Sequence, residues 1–422
     1  MDEDRITFVH AREILDSRGN PTVEAEVHTK RGFGMASVPS GKSKGKHECV
    51  ELRDRGKRFM GMGVRKAVSN VNKIIAKEIV GMRASDYSSV DRKMIELDGT
   101  ENKSRLGGNS ILAVSIASVK AASNSLKVPL YSLFSKRKEY RLPVPMMNLI
   151  NGGEHAGNKL SVQEFLVMPV GAKTFSEAIM IGSEIYHTLR DKLVRKYGRA
   201  SVNVGDEGGF APPIEKTEEA LEILSSAIKE RGYEQKVWVG LDLASSTFYS
   251  TKEQRYSIDG LSLDPDDMVE YLIDIQSRYL IKTIEDPFNE DAFSSFAELK
   301  SKLKGKAIII GDDLLCTNSA RISNAINMKA VDAVLIKPNQ VGTVLETIDA
   351  INLSHSNGLH TVVSHRSGDT EDTFISHLST SMGCLMIKSG APARGERTSK
   401  YNELLRIEEQ LGKRAVFAGY YV

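Results

Sequence analysis

Six short apolar runs in the second half of the chain each end on charged or polar residues that could bind a metal ion and an anion. The runs are residues 237–242, 279–285, 307–312, 333–337, 361–367 and 385–388. Three end on a carboxylate, two end on a lysine, and one ends on a histidine, an arginine and a serine. Carboxylates are preferred ligands of divalent cations, and lysine with arginine attracts anionic substrates.

The spacing of these runs predicts a barrel that brings their ends together. Each run restarts after about one strand-plus-helix unit, and a (β/α)₈ barrel of about 250 residues divides into roughly 31 residues per unit. The carboxyl ends of such strands converge on one mouth of the barrel. We therefore expect residues that are far apart in the chain to form one site there.

The first third of the chain has a different pattern. Residues 22–29 alternate apolar and polar side chains as a half-buried strand does, and residues 33–38 form a second β-rich run. Apolar residues between positions 64 and 79 recur at helical spacing. The overall prediction is an α/β protein in which a smaller α+β domain (residues 1–136) precedes the barrel domain (residues 137–422). The charged segment 135–139 is the candidate linker.

Composition indicates an ordinary enzyme of the cytoplasm. The 422 residues carry 57 basic and 55 acidic side chains, a formal net charge of +2, so neither a nucleic-acid partner nor a membrane surface is expected. Cys49, Cys316 and Cys384 are too far apart in sequence to form a zinc motif, and reduced thiols suit an intracellular compartment. The first ten residues lack a signal-peptide pattern, and residues 111–126 are too polar for a membrane span.

Three carboxylates at the ends of apolar runs predict a magnesium site. Asp242, Glu285 and Asp312 would repel one another at a partly dry mouth unless a cation lay between them. Mg²⁺ suits an all-oxygen site without nearby histidine or cysteine ligands. A single acid at a strand end is more often a helix cap or a salt-bridge partner, but three in successive units favour the metal.

Lys337 ends a very apolar run and is the candidate general base. Poor hydration and nearby metal charge would both lower the pKa of this lysine and fit it to take a proton. The alternative is that Lys337 only neutralises Asp312 or Glu285.

Two further groups complete a possible set for elimination from a carboxylate substrate. Arg366, Ser367 and Lys388 could hold a phosphate or carboxylate, although a structural ion pair remains an alternative for Arg366. Glu207 precedes two glycines, and Glu164 precedes an apolar run. Two carboxylates in one site push one pKa upward, which would leave a protonated acid near neutral pH.

Long motifs along the whole chain resemble the enolase family of glycolytic enzymes. They include SRGNPTVE from Ser17, PVPMMNLINGGEHAGN from Pro143, QEF from Gln163, VGDEGGFAP from Val204, GLDLASS from Gly240, IEDPF from Ile284, GDDL from Gly311, VVSHRSGDTEDTFI from Val362 and IKSGAPARGER from Ile387. They follow one another in a single order, so the resemblance covers both predicted domains.

This resemblance implies the reversible dehydration of 2-phosphoglycerate to phosphoenolpyruvate with two Mg²⁺ ions. It also implies a homodimer, or alternatively an octamer, acting on this small-molecule substrate. By position in the motifs, the implied roles are Lys337 as base, Glu207 as acid with Glu164 as its partner, Asp242, Glu285 and Asp312 as ligands of the first metal, Ser43 as ligand of the second, and His155, Gln163, Glu164, Ser364, His365, Arg366, Ser367 and Lys388 as substrate contacts. His155 without the motif would be interpreted as a structural histidine.

The chain departs from the usual family pattern at two places near these residues. The mobile loop, usually Ser-Gly-Ala-Ser-Thr-Gly, here has lysines at positions 42 and 44, and Pro338 stands where many members have valine. Residues 41–43 also resemble the end of a P-loop, which would suggest a nucleotide triphosphatase, but Ala36 replaces its first glycine and Pro39 removes an amide donor. Another reaction on the same fold and a non-catalytic binding role are the remaining alternatives.

Overall fold

The first third of the chain contains a three-stranded antiparallel sheet. The computed structural model describes residues 3–42 and 45–421. The strands lie in the order β1 (Ile6–Leu15), β2 (Pro21–Thr29) and β3 (Phe33–Ser37). Val23, Ala25 and Val27 on β2 are fully buried, and the residues between them are partly exposed. The predicted half-buried strand is confirmed.

Helices cover the buried face of this sheet. They are α1 (Arg65–Asn70), which continues through a π-helical turn (Val71–Ile75) into α2 (Ala76–Ile79), and then α3 (Tyr87–Asp98) and α4 (Gly108–Leu126). The alanines and serines of α4 let strand β3 approach its backbone closely. A Cβ atom on Gly34 would lie 2.0 Å from the carbonyl oxygen of Ala117 and 2.4 Å from the nitrogen of Ala121.

The rest of the chain forms a closed eight-stranded barrel. Its strands and those around it are β4 (Tyr140–Leu142), β5 (Val144–Asn151), β6 (Glu164–Met168), β7 (Trp238–Asp242), β8 (Tyr249–Ser250), β9 (Arg255–Ile258), β10 (Leu261–Leu263), β11 (Thr283–Glu285), β12 (Ile308–Gly311), β13 (Ala333–Ile336), β14 (His360–Ser364), β15 (Met386–Lys388) and β16 (Ala415–Phe417). The barrel order is β5-β6-β7-β11-β12-β13-β14-β15, while β8–β10 form a small separate sheet and β4 pairs with β16. Each of the six apolar runs contributes a barrel strand, so the predicted barrel is confirmed.

One barrel strand runs in the opposite direction from the others. Strand β6 is antiparallel to both β5 and β7, whereas the other neighbouring pairs are parallel. Residues 152–163, between β5 and β6, form only a short 3₁₀ helix (Gly153–His155), whereas parallel neighbours are usually connected by an α-helix. Glu164 therefore begins its strand at the mouth where the other strands end, and it pairs with Asp242.

Helices surround the barrel and connect its strands. They are α5 (Phe175–Tyr197), α6 (Thr217–Glu230), α7 (Pro265–Tyr279), α8 (Phe293–Leu303), α9 (Ser319–Met328), α10 (Pro338–Val341), α11 (Val344–Ser356), α12 (Phe374–Met382) and α13 (Gly395–Leu411). Pro338 is the first residue of α10, a position where the missing N–H of proline costs little. Within the described ranges, no helix combines the length and apolar character needed to cross a bilayer.

The first third of the chain contacts the barrel next to its mouth. Ser40 exchanges two backbone hydrogen bonds, of 2.7 and 3.0 Å, with Gly368 in the segment after β14. The amide of Ser17 donates to the carbonyl of Asp369 at 2.8 Å, and Lys120 forms a 2.6 Å ion pair with Asp372. These contacts hold the loop that carries part of the mouth.

We predict that Gly34→Ala destabilises the fold while Gly56→Ala does not. The added methyl group on Gly34 would overlap the α4 backbone, which cannot move away as a flexible side chain could, whereas no atom lies within 4 Å of a Cβ on Gly56. Overpacking of this kind costs about 1–3 kcal/mol of the free energy of unfolding. Urea unfolding of both variants would measure the difference, and equal midpoints would contradict tight packing between β3 and α4.

Candidate active site

The charged ends of the barrel strands meet in one cavity at the mouth of the barrel. Asp242 ends β7, Lys388 ends β15, and Asp312 and Lys337 directly follow β12 and β13. The cavity is lined by His155, Gln163, Glu164, Glu207, Asp242, Ala244, Asp286, Asp312, Asp313, Lys337, Ser364, His365, Arg366, Ser367 and Lys388. Every residue that sequence proposed for catalysis or substrate contact therefore lines this one cavity.

Lys388 is a buried cation that contacts three carboxylates. Its Nζ lies 2.7 Å from Oδ2 of Asp242, 2.8 Å from Oε1 of Glu285 and 3.2 Å from Oε2 of Glu164. Burial alone would lower the pKa of Lys388, but the three carboxylates outweigh this effect and hold the pKa well above its usual range. Lys388 is therefore a fixed positive charge in the cavity.

Lys337 is also charged in this structure, contrary to the expected direction of its pKa. Its Nζ donates a hydrogen bond to Oδ2 of Asp312. Burial lowers the pKa of Lys337, but the nearby carboxylates, chiefly Asp312, together outweigh burial, and the pKa is raised above its usual value. The other oxygen of Asp312 accepts a 3.2 Å hydrogen bond from Gln340. The expected lowering depended on nearby metal charge, whereas here the ion pair with Asp312, the alternative named from the sequence, raises the pKa.

Glu164 and Glu207 form a coupled pair of buried carboxyl groups. Nδ1 of His155 lies 3.8 Å from Glu164 and 3.5 Å from Glu207, and Asn148 donates a 3.1 Å hydrogen bond to Glu207. Burial and the charge of Glu207 raise the pKa of Glu164 well above its usual range. Burial opposes ionisation of Glu207 as well, but His155 and His365 lower the pKa of Glu207 below its usual range. These opposite shifts favour a proton on Glu164 rather than on Glu207.

His365 is held neutral and in one tautomer by a buried arginine. Nη1 of Arg397 donates to Nδ1 of His365 at 2.6 Å, and arginine does not lose its proton in proteins. The ring proton must therefore be on Nε2, which faces Oε1 of Glu207 at 3.5 Å. Burial lowers the pKa of His365 to about 4. This histidine consequently faces the acid pair as a neutral hydrogen-bond donor.

Arg366 and Ser367 form the predicted anion contact, and both already have partners. Arg366 makes two hydrogen bonds to the carboxylate of Glu48, of 2.9 and 3.0 Å. Burial lowers the pKa of Arg366, but Glu48 outweighs burial and the net shift is upward. The hydroxyl oxygen of Ser367 accepts a 2.9 Å hydrogen bond from the amide of Lys42, which leaves its proton to donate to an anion.

The remaining predicted substrate contacts are held in place by local hydrogen bonds. Nε2 of Gln163 donates to Oδ2 of Asp242 at 3.4 Å. The hydroxyl of Ser364 donates to the carbonyl of His365 at 3.0 Å and supports the turn after β14. Ser364 therefore shapes the backbone of the cavity as well as lining it.

The carboxylates at the mouth have the chemistry of a site for a divalent cation. Glu285 has no exposed surface, and its Oε2 atom has no hydrogen-bond partner among the described residues. Burial and the charge of Asp242 raise the pKa of Glu285 well above its usual range. A hard cation would satisfy this oxygen and relieve the repulsion, so the residues fit a metal such as Mg²⁺. Ser43, the proposed ligand of a second metal, lies outside the described residues.

A second acidic group at the mouth was missed from sequence. Asp286, Asp312 and Asp313 each place a carboxylate oxygen within 4.8 Å of the other two. Asp286 accepts the backbone N–H groups of Asp312 at 2.9 Å and of Asp313 at 2.7 Å. Asp286 therefore fixes the backbone that presents Asp312 to the cavity.

Other residues that support the site gave only weak signals in the sequence. Asn148 is a polar residue in the fully buried strand β5, and such an interruption of an apolar run could have marked it. Arg397 and Lys400 lie on the charged helix α13, where a charged side chain is normally expected to face solvent. Both are instead buried, and Lys400 forms a 2.8 Å ion pair with Asp369.

Comparisons with known proteins agree with the fold and the cavity. Residues 6–134 match the family described as "Enolase, N-terminal domain", and residues 139–422 match "Enolase, C-terminal TIM barrel domain". The chain is 53% identical to a protein named Enolase from Methanosarcina acetivorans, over 97% of this chain and 96% of the relative. It is also 53% identical to proteins of that name from Methanocaldococcus jannaschii and Thermococcus gammatolerans, over 98% of this chain and 97% of each relative.

We predict that His365→Asn removes part of the acid sensitivity of folding. The folded protein keeps His365 neutral down to about pH 4, whereas the unfolded chain takes up the proton near 6.5. Protonation thus favours the unfolded chain, and the wild-type free energy of unfolding falls as the pH falls through this window, by roughly 3 kcal/mol for this group. Urea unfolding between these pH values should show a shallower decline for His365→Asn than for wild type or for the exposed control His187→Asn. An unchanged slope would contradict a buried, neutral His365.

Proposed function

The chain belongs to the enolase family and catalyses the reversible dehydration of 2-phosphoglycerate to phosphoenolpyruvate, and we propose that the residues of the barrel cavity perform this reaction as follows. One observation supports the assignment above all others: a lysine, two carboxyl groups whose pKa values are shifted in opposite directions, and an arginine and a serine that can hold an anion line the same cavity. Elimination of water next to a carboxylate needs a base, an acid and positive charge for the substrate anion.

Lys337 is the proposed base that takes the proton from C2. A lysine must be neutral to accept a proton, and the raised pKa of Lys337 results from its contact with Asp312. Asp312 is also one of the proposed metal ligands, so a bound metal ion would compensate its negative charge in place of Lys337. Lys337 would then become a stronger candidate for proton transfer because burial alone lowers the pKa of its amine.

Glu207 and Glu164 are the proposed source of the proton for the leaving group. When the C3–O bond breaks, the electron pair of the former C2–H bond forms the new double bond, and the hydroxyl leaves as water with a proton from the pair. The pKa shifts favour a proton on Glu164, so Glu207 would receive that proton before donating it, or the pair would act as one acid. The neutral Nε2–H of His365 faces Glu207 and would stabilise its anionic form after the transfer.

Positive groups are proposed to bind the two ends of the substrate. Arg366 and Ser367 bind the phosphate, and Lys388 faces the negative charge that grows on the substrate carboxylate during proton removal. His155, Gln163, Ser364 and His365 complete the contacts. Charge that develops mainly in the transition state is where fixed cations accelerate a reaction most.

The enolase family implies a divalent metal, and we propose two Mg²⁺ ions in this cavity. Asp242, Glu285 and Asp312 would hold the first, and Ser43 would contribute to the second. Bound Mg²⁺ would supply further positive charge to the substrate carboxylate. The buried, unpartnered oxygen of Glu285 supports this assignment.

The nucleotide-binding alternative does not fit the fold. A P-loop glycine-lysine-serine motif opens a helix whose N-terminus faces the phosphates. Here the next helical segment after residue 45 begins only at Arg58, and it is a short 3₁₀ helix. The amide of Lys42 instead donates to Ser367 of the barrel cavity.

We predict that Lys337→Ala abolishes both steps of the reaction while Glu207→Gln abolishes only the second. Without Lys337, neither exchange of the C2 proton with D₂O nor the ultraviolet absorbance of phosphoenolpyruvate should appear, with a loss of about 10²–10⁴-fold for the missing base. Glu207→Gln should still exchange the C2 proton but form little product. NMR and absorbance assays, each with and without Mg²⁺, would measure both steps. Exchange by a folded Lys337→Ala protein would refute the assignment of the base.

We also propose a homodimer formed through the open face of the N-terminal sheet. Phe8, Phe33 and Met35 are 50%, 41% and 43% exposed, and the ring of His28 lies 5.5 Å from that of Phe8 and 4.8 Å from that of Phe33. A contiguous exposed patch of this kind commonly marks a protein–protein contact. The second copy of the chain is the proposed occupant.

A charge placed in this patch should shift the protein toward monomer. We predict that Phe33→Glu lowers the mass measured by light scattering during gel filtration to that of one chain. Met328→Glu is the matched control, because Met328 is equally exposed, at 41%, but lies on the outer helix α9. A Phe33→Glu protein with unchanged mass would place the contact elsewhere, and a larger wild-type mass would favour the octamer.

Two further proposals concern the chain as a whole. The first and second domains are proposed to meet between residues 136 and 137, because Lys136–Glu139 form an exposed segment outside helices and strands. A cytoplasmic location is proposed because Cys49, Cys316 and Cys384 are all free thiols.

A further inference from the structure

Glu48 contacts the proposed phosphate-binding arginine with both carboxylate oxygens. Oε2 accepts from Nη1 of Arg366 at 2.9 Å, and Oε1 accepts from Nη2 at 3.0 Å. The two side chains are only 6% and 4% exposed, so the pair is shielded from water. A two-point contact fixes the plane of a guanidinium group, which a single contact does not.

The same carboxylate contacts two other parts of the site. Oε1 of Glu48 accepts a 3.2 Å hydrogen bond from the amide of Gly45, which follows the loop proposed to carry a metal ligand. It also lies 3.5 Å from Nε2 of Gln340, and that nitrogen donates to Asp312 at 3.2 Å. Glu48 thus connects the first third of the chain with Arg366 and with the residue that pairs with Lys337.

We propose that Glu48 is a positioning residue that orients Arg366 for the substrate phosphate. This role rests on the proposed function of Arg366 as the phosphate contact. Glu48 comes from the first third of the chain, 318 positions away from Arg366, so the orientation of the arginine depends on the docking of that part against the barrel.

The carboxylate has two opposite effects on phosphate binding, and this makes its role measurable. The negative charge of Glu48 offsets the positive charge of Arg366 and so weakens the attraction of this arginine for any phosphate. Its geometry holds the guanidinium where a substrate fixed at several other points needs it. Free inorganic phosphate can adjust to the arginine, whereas 2-phosphoglycerate cannot, because its carboxylate is bound elsewhere in the cavity.

Glu48→Gln should therefore affect the binding of 2-phosphoglycerate and of inorganic phosphate differently. The amide keeps one acceptor oxygen but turns an NH₂ group toward the arginine, so one of two charge-assisted hydrogen bonds is lost. We expect the KM for 2-phosphoglycerate to rise about tenfold, the equivalent of one such bond. The inhibition constant of inorganic phosphate should stay the same or fall. Glu48→Asp keeps the charge but is too short for both contacts, so it should raise the KM and leave phosphate inhibition unchanged.

Two matched variants distinguish positioning of Arg366 from a general loss of charge or of phosphate affinity. Glu346→Gln removes a carboxylate that pairs with Lys103 at 2.8 Å outside the cavity, and it should change neither constant. Arg366→Lys should weaken the binding of both 2-phosphoglycerate and inorganic phosphate, which would show that inorganic phosphate binds at this arginine. An unchanged KM in Glu48→Gln, or a KM and a phosphate inhibition constant that rise together, would overturn the positioning role. An inactive wild-type protein with Mg²⁺ and 2-phosphoglycerate would instead refute the proposed function itself.

Discussion

Every charge buried at the barrel mouth needs a partner, and this constraint determines the arrangement of the cavity. An uncompensated charge in a poorly hydrated site costs several kcal/mol, which is a large fraction of the free energy of unfolding of a typical protein. Lys388 meets the constraint for Asp242 and Glu285, at 2.7 and 2.8 Å, and also lies 3.2 Å from Glu164. Lys337 forms an ion pair with Asp312, and Arg366 forms one with Glu48. The ion pairs also set the protonation states of the groups that the reaction requires.

The reversal of strand β6 makes the acid pair possible. In an all-parallel barrel, the first residue of a strand lies at the end opposite the mouth. Because β6 is antiparallel to its neighbours, Glu164 lies at the mouth and opposite Asp242. One of its carboxylate oxygens then lies within 4.8 Å of one of Glu207, so the charge of Glu207 raises the pKa of Glu164. A change in strand direction, rather than a change of residue, therefore brings this carboxyl group into the site.

The sequence predicted the residues whose positions follow from local patterns. Asp242, Asp312, Lys337 and Lys388 could be placed because each ends or directly follows an apolar run, and parallel barrel strands end at one mouth. The direction of β6 was not predicted, since pairing with two neighbours decides it. The direction of the pKa shift of Lys337 could not be decided for the same reason: it depends on whether Lys337 contacts Asp312, 25 positions away.

The most distant contacts were the hardest to predict. Nothing local marks Arg397 as the partner of His365, because a charged helix such as α13 normally presents arginine to solvent. The pairing of Glu48 with Arg366 spans 318 positions, and either residue alone could have been a surface ion. Such pairs are fixed only when the first third of the chain docks on the barrel. The long connection itself is not the obstacle, because the entropy of closing a loop grows only slowly with its length.

Lys42, in the loop that departs from the family pattern, contacts two segments of the barrel domain. Nζ of Lys42 lies 3.3 Å from Asp206, next to Glu207, and donates to the carbonyl of Glu154, next to His155, at 2.5 Å. The side chain of Lys42 is 41% exposed, and exposed ion pairs contribute only about 0–1 kcal/mol. Lys42 therefore adds only weak contacts to the segments that carry Glu207 and His155. Upstream of it, Ser40 exchanges two backbone hydrogen bonds with Gly368, and downstream the buried pair of Glu48 and Arg366 is shielded from water, so both ends of the loop are fixed to the barrel domain.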